Sequence, residues 1–224
     1  MFCGVGKMLY LCLQKTEKDM KRCLFLLGAV CMMNMTLLAD SPLTSTHFWK
    51  IYSVDEGANY FPPYRLVDEF DWSDEVKAYL CSEDVPLEQR LCVVNYLGWD
   101  FNGQSHWRSL ENYYIQHNER VNPEDVYAGM SGELMIVFAY VKAMDDYFDV
   151  KLANSMASVA ARRSPKSRAV AMIAALIGAQ EAMDSEWKEV YRLCHEVEID
   201  TSLNNDFCDA AVWAIMSYIN LYAE

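Results

Sequence analysis

Basic side chains are scarce in this chain of 224 residues, with 19 Lys and Arg against 32 Asp and Glu and a formal net charge of −13. Nucleic acids and anionic lipid surfaces both select basic faces, so this balance argues against either as a ligand. It leaves a basic protein as the partner the charge favours. Histidine is scarcer still: His47, His106, His117 and His195 stand in four separate segments. A zinc-protease helix needs two histidines four residues apart, so that both face one metal. His195-Glu196 has no second histidine at that spacing. A carboxylate-bridged di-iron bundle needs Glu-x-x-His pairs. The residues three before the four histidines are Thr44, Gly103, Tyr114 and Arg192. No metal site and no cofactor is expected. There are eight cysteines but no C-x-x-C, which removes support for thioredoxin-like redox chemistry and for a zinc ribbon.

Three further motifs are incomplete. Gly129-Met130-Ser131-Gly132-Glu133 places the second glycine of a serine-hydrolase elbow one position early, and the surrounding pattern is helical. Gly129 and Gly132 read instead as points of close helix packing. Asp100-Phe101-Asn102-Gly103 begins like a calcium loop but lacks the later ligands and the closing Glu. Gly4-Val5-Gly6-Lys7 lacks the first glycine of a phosphate loop at the right spacing, and Met8 replaces its Ser or Thr.

What is present begins with an export signal. Met20-Lys21-Arg22 is a short positive head, Cys23 to Cys31 is an apolar run of signal-peptide length, and Leu37-Leu38-Ala39 ends in a small residue before Asp40. The run falls short of the roughly 20 apolar residues that span a bilayer. Residues 1–39 are therefore expected to be an upstream extension plus a secretory signal, with translation starting at Met20. The mature chain, 40–224, keeps 14 basic and 30 acidic residues. It is expected in the periplasm or outside the cell, with no stable membrane span after processing.

Residues 40–72 form an aromatic arm in which Pro62-Pro63 blocks a long helix and Thr46 to Val54 can form a short one. From 73 to 224 the helical period dominates. Helices are expected over Asp74 to Ser82, from Pro86 to Gly98, after Ser105, from Asn122-Pro123-Glu124 onward, over Gly132 to Phe148, over Val150 to Ala161, from Ser164-Pro165, after Ser185 and over Asn204 to Tyr222. Pro86, Pro123 and Pro165 each precede a helix that opens a pair, and both Gly98 to Gly178 and Trp107 to Trp187 are 80 residues apart. Paired helices at a period near 40 resemble the α-solenoid class of HEAT and armadillo-like hairpins. The fold class is thus all-α: antiparallel hairpins stacked as a short right-handed α-solenoid, or an irregular helical bundle. The resemblance implies an extended concave surface.

Four cysteines lie in the mature chain. About a turn centred near Thr201, Cys194 and Cys208 stand level, whereas Cys81 and Cys92 are offset by about 7–8 Å at the helical rise. Cys194–Cys208 is the expected bridge if one forms. Trp107, Tyr113, Trp187, Tyr191 and Trp213 fall on apolar helical faces and read as core. The carboxylate clusters Asp145, Asp146 and Asp149, and Glu196, Glu198 and Asp200, read as solvated helix ends. Tyr60, Phe61 and Tyr64 of the arm, with Trp99 and Asp100, are the candidate partner-binding residues, since aromatics supply hot-spot energy at interfaces. The expectation is an exported, non-catalytic protein-binding module, such as an immunity or inhibitor protein. The alternatives are a hydrolase using paired carboxylates or a structural component of the cell envelope.

Overall fold

A computed structural model describes residues 41–53, 72–98, 101–183 and 185–223. The chain is all-helical over these residues, with no strand among them. The secretory segment expected over 1–39 lies outside the described residues. No described helix is long and apolar enough to cross a membrane.

The helices are α1 (Asp74–Cys81), α2 (Leu87–Leu97), α3 (His106–His117), α4 (Gly132–Asp145), α5 (Lys151–Arg163), α6 (Arg168–Ala182), α7 (Trp187–Ile199) and α8 (Asp209–Ile219). A 3-10 turn, Phe48–Ser53, precedes them and another, Asn220–Tyr222, follows. Local chemistry explains several starts. Ser73 and Ser167 accept the N–H of the residue three on, and the acidic pair Asp74 and Glu75 sits at the positive end of α1. One expected start moves: Asn122-Pro123-Glu124 opens a series of turns, and the helix begins only at Gly132, where Ser131 accepts Leu134 N–H at 3.1 Å.

Helix α4 is the centre, and α2, α3, α5 and α6 all pack on it. It is apolar almost all round, as a helix wrapped by neighbours must be. Ala153, Ala157 and Ala160 line the buried side of α5 at helical spacing, so neighbouring helices can approach closely. A Cβ on Gly132 would come within 2.6 Å of the Ala160 carbonyl, so this glycine does mediate close packing, whereas Gly129 has open space. Helix α5 packs mainly on α4, α6 lies against both α5 and α7, and α7 packs mainly on α6. The 3-10 turn of the arm packs against both α2 and α8, with Phe48 buried edge-on against Phe207 and stacked toward Tyr140.

Candidate functional site

Contacts among helix ends fall into two groups. At one end the N-terminus of α4 meets the C-terminus of α5 through Gly132 and Ser164. There Arg163 donates to the carbonyls of Tyr127, Ala128 and Met130, and Asn204 N–H bonds to Lys166 O. The other end collects the α4–α5 turn, the α6–α7 turn and the C-terminal 3-10 turn. The Asn154 amide of α5 reaches Glu181 of α6 across it, and the Trp187 ring lies 4.5 Å from that of Tyr222.

This second end carries four large apolar side chains in the open: Phe148 (61% exposed), Leu152 (51%), Trp187 (53%) and Leu221 (70%). The carboxylates Asp146, Asp149, Glu181 and Glu186 belong to the same turns and helix ends, which also hold Lys142, Lys151 and Lys188. The end draws these side chains from α5, α7 and the turns beside α4 and α8. Its supports are fixed. Phe148 packs on Tyr147 with ring centroids 4.4 Å apart, and the buried Tyr222 under Trp187 shares a 2.8 Å hydrogen bond with Tyr218. Covering an exposed side chain of this size stabilises by about 1.5–3 kcal/mol at most.

Trp187 and Trp213 therefore correct the sequence reading, since neither is core; Trp213, on α8, is 72% exposed. Trp107 is buried, with the Arg108 guanidinium 3.9 Å above its ring. The candidate partner-binding residues Tyr60, Phe61, Tyr64, Trp99 and Asp100 lie outside the described residues. Phe148 closes the helix expected over Gly132 to Phe148, and neither it nor Leu152 nor Leu221 carries a motif that marks an exposed position. Their only signal was an apolar residue placed at a turn among carboxylates.

The acidic clusters are occupied by local bonds. Asp145 is almost wholly buried and accepts from His106 N–H, Trp107 N–H and the His106 ring. Asp146 accepts Asp149 N–H, Glu196 pairs with Arg192, and Glu198 meets His195. Three grooves of about 490, 220 and 400 Å³ flank the α3–α4 connection, and among the described residues Asp125 is the one carboxylate lining any of these three. They thus bring no carboxylate pair together. Cys81 and His117 share the smallest of them, but burial pushes the Cys81 thiol up to about 12, against the pull of Arg90, so it is not an activated nucleophile. Among the described residues no group of three or more His, Cys, Asp or Glu could hold a metal.

Cys194 and Cys208, the expected bridge, are free thiols in this structure, as are Cys81 and Cys92. The α7–α8 connection is a long loop in which Asp206 accepts the N–H groups of Arg168 and Ala169 at the start of α6. Cys208 is thereby carried to the cap of α8, while Cys194 is buried on α7, which packs chiefly on α6.

No protein-family model matches the chain, and neither a curated protein nor a solved structure does.

Proposed function

We propose that this chain is a non-catalytic binding protein, and that the end bearing Phe148, Leu152, Trp187 and Leu221 takes a cationic, apolar-bearing segment of a protein partner. The observation that carries the reading is the exposure of these four large apolar side chains on turns and helix ends that also hold carboxylates. Exposed large apolar side chains grouped together mark interaction surfaces. The surrounding negative charge speeds encounter with a positive partner and discriminates against acidic ones. An exported inhibitor or immunity protein that neutralises a basic enzyme or toxin is the form of this reading that accords with the signal-like segment over residues 20–39.

The test is recovery of partners by the tagged full chain from the envelope fraction of its own host, at low and moderate salt. A stoichiometric partner should weaken with salt and crosslink to the α4–α5 and α6–α7 turns. It should be lost with Trp187→Ser combined with Leu221→Ser, while the thermal midpoint of that variant stays near the parent's. A partner that ignores both the double substitution and salt, or crosslinks elsewhere, overturns the reading.

A further inference from the structure

The Glu88 carboxylate of α2 is a point where three segments distant in sequence meet. It accepts the Tyr52 hydroxyl from the N-terminal arm and the backbone N–H of Cys208, 2.8 Å away, at the cap of α8. The Cys208 Sγ lies 3.4 Å from the same Tyr52 hydroxyl. One turn beyond Glu88, on the same face of α2, stands Cys92, wholly buried. Residues four apart on a helix have Cβ atoms about 5–6 Å apart. Helical side chains lean back over the preceding turn, which directs the Cys92 thiol toward the place where Cys208 is docked. Their proximity shows in ionisation as well. Burial first, then the Glu88 carboxylate, then Cys208 push the Cys92 thiol upward.

We propose that Cys92 and Cys208 form a disulfide under oxidising conditions, linking α2 to the cap of α8. The oxidant is a low-molecular-weight disulfide such as oxidised glutathione. One cysteine thiolate attacks it, forms a mixed disulfide and releases one glutathione thiolate. The second cysteine thiolate then attacks the protein-side sulfur and releases the other. Two protein thiols are oxidised, one disulfide is reduced, and the two protons pass to the departing thiolates. The closed loop runs between positions 92 and 208, so the link restricts more than half of the described chain in the unfolded state. Burial raises both thiols, which keeps the thiolate fraction low in the folded molecule. The bridge is accordingly a product of oxidative folding and not a rapid switch.

The inference is independent of the binding reading. The full chain is unfolded, refolded in a reduced and oxidised glutathione buffer, blocked with an alkylating agent, digested without reductant and mapped by mass. A linked peptide pair holding Cys92 and Cys208 is expected; it should separate on reduction, persist in Cys194→Ser and vanish in Cys208→Ser. The oxidised protein should also have a higher urea midpoint than the reduced one. Pairing of Cys208 with any cysteine other than Cys92, pairing of Cys92 with Cys81, or eight alkylatable thiols in the refolded chain overturns the proposal. The parent map decides the matter even if a substituted chain fails to fold.

Discussion

Among the described residues Arg90 is the largest fully buried side chain, and its Nε, Nη1 and Nη2 have no hydrogen-bond partner. Its nearest opposite charge is Glu133, 3.6 Å from Nη2 and half exposed. Burial lowers the Arg90 pKa, while Glu133 and Glu83 hold it up. Such a charge is tolerated, not stabilising, because desolvation competes with the attraction. Arg90→Met, which keeps the packing and removes the charge, is therefore expected to leave stability unchanged or raise it by about 1–2 kcal/mol. Glu133→Gln, which strands the charge, should cost about 1–3 kcal/mol. Urea denaturation of the two variants checks this, and a larger loss in Arg90→Met than in Glu133→Gln would refute it. The position was legible in part, because residue 90 falls on the Leu87, Leu91, Val94 face of α2. A charged residue on an apolar face is normally placed at its edge, and only the tertiary covering buries it. A second residue sets a pH dependence. Burial, with the positive Lys50 nearby, lowers the His47 pKa from its usual 6.5. The folded chain then binds fewer protons than the unfolded one, so stability is full above that pH and declines as pH falls through it. The carboxylates Asp74, Glu189 and Asp200, whose pKa values are also lowered, act only in more acid solution. Between pH 7 and 5 the urea midpoint should fall less in His47→Gln than in the parent, and equal slopes would count against the assignment.

At the scale of the helix, periodicity located the elements, and the tertiary fold decided their ends. Helices α1, α2 and α5 begin and end within two residues of the apolar pattern, because an amphipathic stripe is a local property. Caps are less local. Ser105 stands where a serine cap of α3 is expected, yet its side chain makes no capping bond. Asp145, from the end of α4, accepts the first N–H groups of α3 instead. No reading of residues 103–107 could find that partner 40 positions away. Asp145→Ala should cost about 1–2 kcal/mol or more, the upper range of a lost cap, since it also strands buried donors. Ser105→Ala should cost little. Chemical denaturation of the pair measures the contrast, and equal losses would return the capping role to Ser105. Gly132 makes a parallel case at the α4–α5 contact. An added Cβ would meet a backbone oxygen that cannot rotate away, so Gly132→Ala should destabilise by about 1–3 kcal/mol, and trimming Ser164 to Gly should recover only part of the loss.

At the scale of the molecule, neither the exposed apolar side chains nor the packing of the arm was readable locally. Phe148, Leu152, Trp187 and Leu221 are exposed because of what the tertiary fold leaves uncovered, and a helical face that looks apolar in sequence does not reveal which part stays uncovered. The arm raises the same issue for cooperativity. In an open stack each unit touches only its neighbours, so a lesion at one terminus loosens that terminus alone. Here Phe48 lies in a 3-10 turn packed against α2 and α8, with its ring against Phe207 beside α8 and facing Tyr140 of α4. Asn95 reinforces the joint by donating to Thr46 O and to the Tyr140 hydroxyl and accepting Trp49 N–H. Phe48→Ala removes a fully buried ring and should cost about 3–5 kcal/mol. The distribution of the damage is the sharper forecast. Native-state hydrogen exchange should show protection falling in α2 and in α8 together, although more than 100 residues separate them. Loss confined to α2 would mean that the chain behaves as a row of hairpins, with the arm no more than a cap on its first member.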